Sequence, residues 1–447
     1  MKMEKEFYKK LMGLVLPIAF QNFMLAVVSA SDAILLGFLN QDALSAVALA
    51  GQIQFVHSLF IMAFVIGTTI LVAQYWGKED AVSIEIIFAY VLKLVGIVSV
   101  VFSLAALICP ELLMKIFTSD TTLIQMGSAF LRVVSISYLL SGISQIYLCM
   151  LKNMECASKS TLISSTAVVV NILLNIILIF GMLGAPAMGI KGSAVATVIA
   201  RAIELLWSVW SLRQRNVIHL KWNYLRNTDL MLKKDFWRFT APVLGNEIAW
   251  GGGFTMFSVI MGHLGSDAVA ANAIANIVKN LIVCISLGIG SGGSIMVGNE
   301  LGRGMLDKAK DYGKKLVQFS IICGVISGVI LLSIRPAILH FSTLSQEATQ
   351  LLSMMLLICA YYLIGKSVNS TVISGIFCAG GDTRFGLICD TITMWVIVIP
   401  LGFIAAFYLK LPVIIVYFIL NMDEIIKLPA VYKHYKQYKW VKDLTRI

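Results

Sequence analysis

Residues 212–234, LRQRNVIHLKWNYLRNTDLMLKK, are polar and basic, and they lie near the middle of a chain whose other long segments are almost continuously apolar. Outward from this stretch, each side holds six apolar segments. They fall near 11–38, 44–74, 84–108, 123–150, 159–181 and 187–211 on one side, and near 235–263, 268–300, 310–339, 347–378, 383–408 and 410–434 on the other. Each is long enough to cross a hydrocarbon layer of about 30 Å as a helix, which takes about 20 residues. The pattern predicts an all-α integral membrane protein with twelve transmembrane helices. Residues 1–211 form one half, 212–234 a cytoplasmic basic linker and 235–447 the other half.

Composition agrees. Hydrophobic residues make up 59% of the chain and charged residues 13%, against about 25% charged in soluble globular proteins. Such a chain is neither a cytosolic enzyme nor a disordered tail protein. The net charge of +11 is topological and does not mark a nucleic-acid partner. With both termini inside, the inner segments carry 25 Lys and Arg and the outer loops four, Lys115, Lys191, Arg335 and Lys410, the bias that orients spans in a membrane. The first apolar segment follows Lys9 and Lys10 but is too long, and lacks the small-residue site, to be a cleaved signal. The eight cysteines show no CxxC or CxxxH spacing, so neither a metal site nor a disulfide framework is expected.

The halves repeat each other. At an offset of 225 residues, Pro17 aligns with Pro242, Gly37 with Gly262, Leu39 with Leu264, Asp42 and Ala43 with Asp267 and Ala268, and Gly77 with Gly302, without a gap. Twelve of the 61 positions from Pro17 to Gly77 are identical. Cys156-Ala157 matches Cys378-Ala379 at an offset of 222. An even number of spans per half makes the copies face the same way, as parallel repeats about an axis along the membrane normal. Duplication of this kind points to a transporter.

The duplicated proline-opened helix, the Gly-x-Leu-x-x-Asp-Ala corner and the long second helix ending in Gly, followed by CAGGDTRFG at 378–386, resemble the multidrug and toxic compound extrusion (MATE) transporters. The resemblance covers nearly the whole chain. It implies two six-helix lobes around a central cavity. It also implies export of small organic, often cationic, compounds, driven by entry of H⁺ or Na⁺, with no cofactor besides that ion.

Ionisable residues inside spans are costly, about 2.5–3.5 kcal/mol each on insertion scales, and therefore mark function. Asp32 lies eight residues before Asn40, and Asn175 nine before Gly184, which places them about 12 and 14 Å from the outer surface at 1.5 Å per residue. Asn171 and Asn175 share a helix face at i, i+4. A carboxylate with amide oxygens at one depth suits a titrating proton or Na⁺, a cation that takes oxygen ligands. In MATE proteins resembling this chain, the first-helix Asp, here Asp32, serves ion coupling. Many carry Asn-x-x-x-Asp on the fifth helix, where this chain has Asn171 and Asn175.

By the same rise, Glu247 and Lys279 come to similar depth, about 13 Å and about 12 Å from the inner face, and Asp390 to about 9 Å. A Glu247–Lys279 pair is therefore one expectation. A Glu on the seventh helix is common in MATE proteins, usually eight residues after its proline; Glu247 comes five after Pro242. Glu247 and Asp390 join Asp32, Asn171 and Asn175 as candidate coupling residues. Asn272, Asn276 and Lys279 form a polar stripe at i, i+4, i+7. With Trp250, Lys366 and Asn369 they are the candidate substrate-cavity residues. The tenth-helix Asp of sodium-coupled members is missing; GKSVNSTVISG supplies Lys366 and Asn369 in that region.

Other polar residues read as structural. Arg201 and Glu204 pair at i, i+3, Lys93 and Arg132 snorkel, and His57, His263 and His340 are isolated. Asp423, Glu424 and Lys427 read as ordinary ion pairing at the inner end of the last span. No Walker motif and no hydrolytic constellation occurs. The expected function is thus not enzymatic: an ion-coupled efflux antiporter, a monomer in the plasma membrane. The alternative is a flippase for lipid-linked precursors of similar fold, an idea that Lys279 and Lys366 support.

Overall fold

The computed structural model describes residues 2–215, 217–226, 229–342 and 344–445, so residues 216, 227 and 228 of the expected linker lie outside the description. Every regular element among the described residues is helical. In chain order these are α1 Lys2–Leu39, α2 Gln41–Gly77, α3 Ala81–Ile108, α4 Pro110–Lys115, α5 Thr121–Asn153, α6 Ala157–Phe180, α7 Ile190–Arg213 and α8 Trp222–Arg226. The second half holds α9 Leu230–Gly262, α10 Ser266–Gly302, α11 Leu306–Phe341, α12 Gln346–Asn369, α13 Thr383–Thr391, α14 Ile399–Phe403, α15 Val413–Leu420 and α16 Asp423–Tyr435. Three π-helical stretches, Ser370–Phe377, Ile392–Val398 and Ile404–Tyr408, extend α12 and join α13 to α14 and beyond.

Side chains at the boundaries explain where helices start. Asn40 Oδ1 accepts from Ala43 N at 2.6 Å, Asp80 Oδ1 from Ser83 N at 3.0 Å, and Asp120 Oδ1 from Thr122 N at 2.8 Å, each satisfying an amide that the first turn leaves free. Gly181, at φ 73°, ends α6 in the left-handed region that only Gly enters without strain.

Ten of the helices, taken with their π extensions, are long and apolar enough to cross a membrane. The seventh expected span is α9, whose apolar character is diluted by Asn246, Glu247 and Gly251–Gly253. The twelfth departs from expectation. The segment expected as one helix over 410–434 is broken at Asn421 and Met422 into α15 and α16. Asn421 Nδ2 bonds back to Tyr417 O at 2.9 Å, the kind of local side-chain bond that competes with helical continuation.

Contacts divide the chain into two compact units. One, here the N-terminal unit, comprises Met24–Val72 and Glu79–Trp237. Its core includes Ala50, Met114, Leu131, Tyr138 and Ala194 in one cluster and Leu36, Ala43, Ile179 and Ile190 in another. The linker is docked on this unit: His219 N donates to Glu85 Oε1 at 2.8 Å, and Lys221 Nζ lies 2.9 Å from Glu85 Oε2.

The C-terminal unit comprises Met1–Phe23, Ala73–Lys78 and Arg238–Ile447. Its core runs through Ile260, Ala271, Leu331, Leu356 and Tyr417. Small residues let its backbones approach, as at many membrane helix interfaces. A Cβ at Gly328 would meet Ala360 O at 3.0 Å, one at Gly290 would meet Ser370 O at 2.9 Å, and one at Gly288 would meet Ala19 Cβ at 2.8 Å.

Candidate functional site

Each unit holds a polar cluster of candidate residues inside its helices. In the N-terminal unit, Asn175 Nδ2 donates to Asp32 Oδ1 at 2.6 Å and to Asn171 Oδ1 at 3.2 Å. Asn171 Nδ2 donates to Thr197 Oγ1 at 3.4 Å, and Thr197 in turn donates to Ser193 O at 3.0 Å. The three residues picked out by depth therefore meet, and α7 adds Thr197, which sequence reasoning missed because a lone threonine in an apolar helix carries no signal. Asn171 and Asn175 are buried and Asp32 is half-buried. The buried oxygen Asn175 Oδ1 has no hydrogen-bond partner among the described residues. Asp32, Asn171, Asn175 and Thr197 are thus joined in one hydrogen-bonded chain that leaves Asn175 Oδ1 with acceptor capacity to spare, and oxygen is the ligand type that a hard cation takes.

Arg201 lies within electrostatic reach of Asp32. It is neutralised by Glu204 Oε2, 2.9 Å from Arg201 Nη1, which also accepts from Ser144 Oγ at 3.0 Å. The expected i, i+3 pair is formed.

The C-terminal unit concentrates more charge. Lys427 on α16 stands 2.9 Å from Asp390 Oδ1, 3.3 Å from Glu424 Oε2 and 3.7 Å from Asp423 Oδ2. Lys366 on α12 stands 3.1 Å from Glu424 Oε1. Asn369 Nδ2 donates to Glu424 Oε2 at 2.8 Å and to Glu424 O at 2.6 Å, the latter beside the break between α15 and α16. Asn246 Nδ2 donates to Asp390 Oδ2 at 3.0 Å. Asp423, Glu424 and Lys427 are buried. As expected they are ion-paired, but the pairing reaches two further helices, α12 and α13, and a hydrogen bond extends it to α9. Their i, i+1, i+4 spacing just after Asn421 in an apolar span was the available signal.

Glu247 and Lys279 do not pair. Equal depth from helical rise leaves open the direction in which each side chain departs, and here the directions differ. Lys279 Nζ lies 3.5 Å from Asn421 Oδ1 and 4.8 Å from the centre of the Tyr362 ring. The charged residues acting on it are Asp423, Lys366 and Glu424. Glu247 makes no hydrogen bond or ion pair among the described residues, and the charges of Lys366 and Asp390 act on it. Of the remaining cavity candidates, Asn276 Nδ2 donates to Asn272 Oδ1 at 3.1 Å. Trp250 stacks on Phe254 at 5.8 Å and faces Lys366 Nζ at 5.9 Å.

The model of the MatE family matches residues 17–177 and again 242–404, so its two copies begin at Pro17 and Pro242, the prolines that open the repeat. The chain belongs to the MatE family. Membership makes it a multi-pass membrane transporter and not an enzyme. Over 410 residues it is 28% identical to the multidrug resistance protein NorM of Burkholderia vietnamiensis, covering 88% of this chain and 86% of NorM. Over 444 residues it is 20% identical to the uncharacterized transporter YisQ of Bacillus subtilis, covering 97% and 95%. The crystal structure of the MATE transporter VcmN of Vibrio cholerae shares the fold at a TM-score of 0.89 and 17% identity, with 98% of each chain covered.

Proposed function

We propose that this MatE protein is a secondary antiporter that exports small organic cations across the plasma membrane in exchange for H⁺ or Na⁺. It works as a monomer with both termini cytoplasmic, through the rocking of two six-helix halves. The observation that carries this reading is the hydrogen bond from Asn175, itself bonded to Asn171, to Asp32, a carboxylate with a neutral hydrogen-bond partner and no ion pair of its own. When the ion arrives, Asp32 loses its net charge and its attraction to Asn175 Nδ2 weakens, so the helices it ties, α1 and α6, are free to adjust. Ion binding and helix position are thereby coupled.

Relatives named for multidrug resistance support an organic substrate. Glu247, unpaired on α9 near the aromatic pair Trp250 and Phe254, is the group we assign to the cation of the substrate. Asn272, Asn276, Lys279 and Asn369 supply polar lining. Asp390 and Lys366 are each held by an opposite charge, and we do not assign them the coupling ion. That pairing of Lys366 also removes one of the two cations that favoured a lipid-precursor flippase.

The test is ethidium efflux from proteoliposomes under an imposed pH gradient and then under a sodium gradient. Efflux driven by one of the two is expected. Absence of efflux under both, with folded protein in the bilayer, overturns the reading.

A further inference from the structure

Four residues near the ends of α2 and α10 form a crossing that obeys the repeat. At the 225-residue offset Gln74 corresponds to Asn299 and Gly77 to Gly302. A Cβ on Gly77 would run into Asn299 O, and a Cβ on Gly302 would run into Gln74 O. Each glycine therefore admits the backbone of its counterpart's helix, and the two helix ends touch with no side chain between them. All four residues belong to the C-terminal unit.

A third party holds the α2 side of this crossing. The chain after α16 folds back onto Gln74. Gln74, fully buried, donates from Nε2 to Ala379 O at 2.7 Å and to Lys442 O at 3.1 Å, while its Oε1 accepts from Leu444 N at 2.6 Å. One side chain of the first repeat thus clasps the backbone of the C-terminal segment on both sides of Asp443. The segment is itself anchored by Trp440, which is fully buried, stacks on Tyr435 at 5.9 Å and fits against Gly313, where a Cβ would come within 2.9 Å of the indole. The two glycines of the CAGGD turn make room for it. A Cβ on Gly380 would overlap Trp440 O, and one on Gly381 would stand 2.9 Å from Leu444 Cδ1. The glycine pair that marked this motif in the sequence is needed to seat the tail.

We propose that residues 440–445 are a latch that holds the inner end of α2 in its crossing with α10, with Gln74 as its catch. The inference rests on the rocking reading above. If two repeats rock, the inner side opens only when the first-repeat residues 73–78 leave α10, and the latch must then release Gln74. Three hydrogen bonds to one buried amide set the balance between the closed and open inner ends, and the stacked, glycine-seated Trp440 keeps the tail in register while Gln74 lets go.

The test uses the full chain in proteoliposomes and reads access from the cytoplasmic face. Ser294, buried on α10 one helical stretch behind the crossing, is changed to Cys, and its labelling by a membrane-impermeant maleimide is measured above the background of the native cysteines. Gln74→Ala and Leu444→Pro are compared with the parent. The second removes the amide that donates to Gln74 Oε1, along with the leucine side chain beside Gly381, in a segment outside any helix, so the helices are spared. Net hydrogen-bond contributions of about 1 kcal/mol predict labelling about fivefold faster for Leu444→Pro and about tenfold or more for Gln74→Ala. Trp440→Phe, which keeps an aromatic plug, should stay closer to the parent than Trp440→Ala. Unchanged labelling in folded Gln74→Ala and Leu444→Pro overturns the latch. Labelling reads the inner closure whether or not efflux occurs, so failure of efflux in the parent counts against the transport reading and not against this one.

Discussion

The two polar clusters arise on halves of one duplicated sequence, yet they are built on opposite electrostatic plans. Around Asp32 there is one carboxylate and a ring of amides and hydroxyls, with an oxygen of Asn175 left unbonded among the described residues. Around Lys427 there are three carboxylates within 4 Å of one ammonium and a second lysine on Glu424. In the first arrangement no cation pairs directly with Asp32, the nearby Arg201 being held by Glu204, so the carboxylate can take one from solution. The second holds two lysines of its own against three carboxylates. Duplication therefore preserved the helices and the corner motifs while the two buried sites diverged into a receptive one and an internally ion-paired one.

The sharpest way to break this comparison is Asp32→Asn. The amide keeps an oxygen at Oδ1 for the hydrogen bond from Asn175, so the protein should express and melt like the parent. Ion-driven efflux should fall to the leak of protein-free liposomes, because no charge remains to be neutralised. Parent-like efflux would place Asp32 among structural residues and erase the distinction between the clusters.

Next in size is Lys427→Met. Removing one partner of a buried charge network typically costs about 3–5 kcal/mol, because Asp390 and Asp423 then lose the ammonium that stands beside each of them. The loss should appear as a large drop in the thermal midpoint of the detergent-purified protein. Adding Asp390→Asn should restore part of that stability and, if the cluster serves ion pairing and not coupling, ion-driven efflux with it. A well-folded double variant that cannot transport would instead move the coupling site into the C-terminal unit.

The unequal legibility of the two clusters has a physical cause. The N-terminal site was readable because depth along each helix follows from residue count, and two short-range facts, one Asp in α1 and an i, i+4 Asn pair in α6, needed only to match. The twelve-segment order and the repeat were readable for the same reason: both are one-dimensional patterns. The break at Asn421 was not, since its polar neighbours fit a helix end as well as a helix interruption, and what makes it a break is the approach of Lys279, Tyr361 and Asn369 from other elements. Nor was the clasp of Gln74 on Leu444, which joins residues 370 positions apart. Azimuth misled outright at Glu247 and Lys279, where equal depth stood in for contact.

A smaller effect is expected at Asn175→Ala. The change deletes the donor to Asp32 and to Asn171 and leaves Asn171 Oδ1 without its bond, a loss of about 1–3 kcal/mol for buried polar groups deprived of a partner. Efflux should slow and require a steeper ion gradient without vanishing, since Asp32 keeps its charge. A response as complete as that of Asp32→Asn would make Asn175 an obligatory ligand of the ion; no response would remove it from the site.

The smallest expected number is a coupling energy. Glu247 and Lys279 lie on α9 and α10 of the same unit, and a salt bridge between them would show as strong non-additivity in a cycle of Glu247→Gln, Lys279→Met and the double variant. The geometry argues otherwise. Lys279 spends its ammonium on Asn421 Oδ1 and the Tyr362 ring, so Lys279→Met loses those contacts whatever stands at position 247. Glu247→Gln removes an unpaired charge from the interior, which should leave the thermal midpoint unchanged or raise it. The two effects should therefore add to within about 0.5 kcal/mol, as for independent sites. Transport should separate what stability does not: Glu247→Gln and the double variant should both lose ethidium efflux, and Lys279→Met alone should retain it at a reduced rate. A coupling energy well above that margin would restore the pair, and with it the possibility that Glu247 is held in place by Lys279 instead of standing open to a cationic substrate.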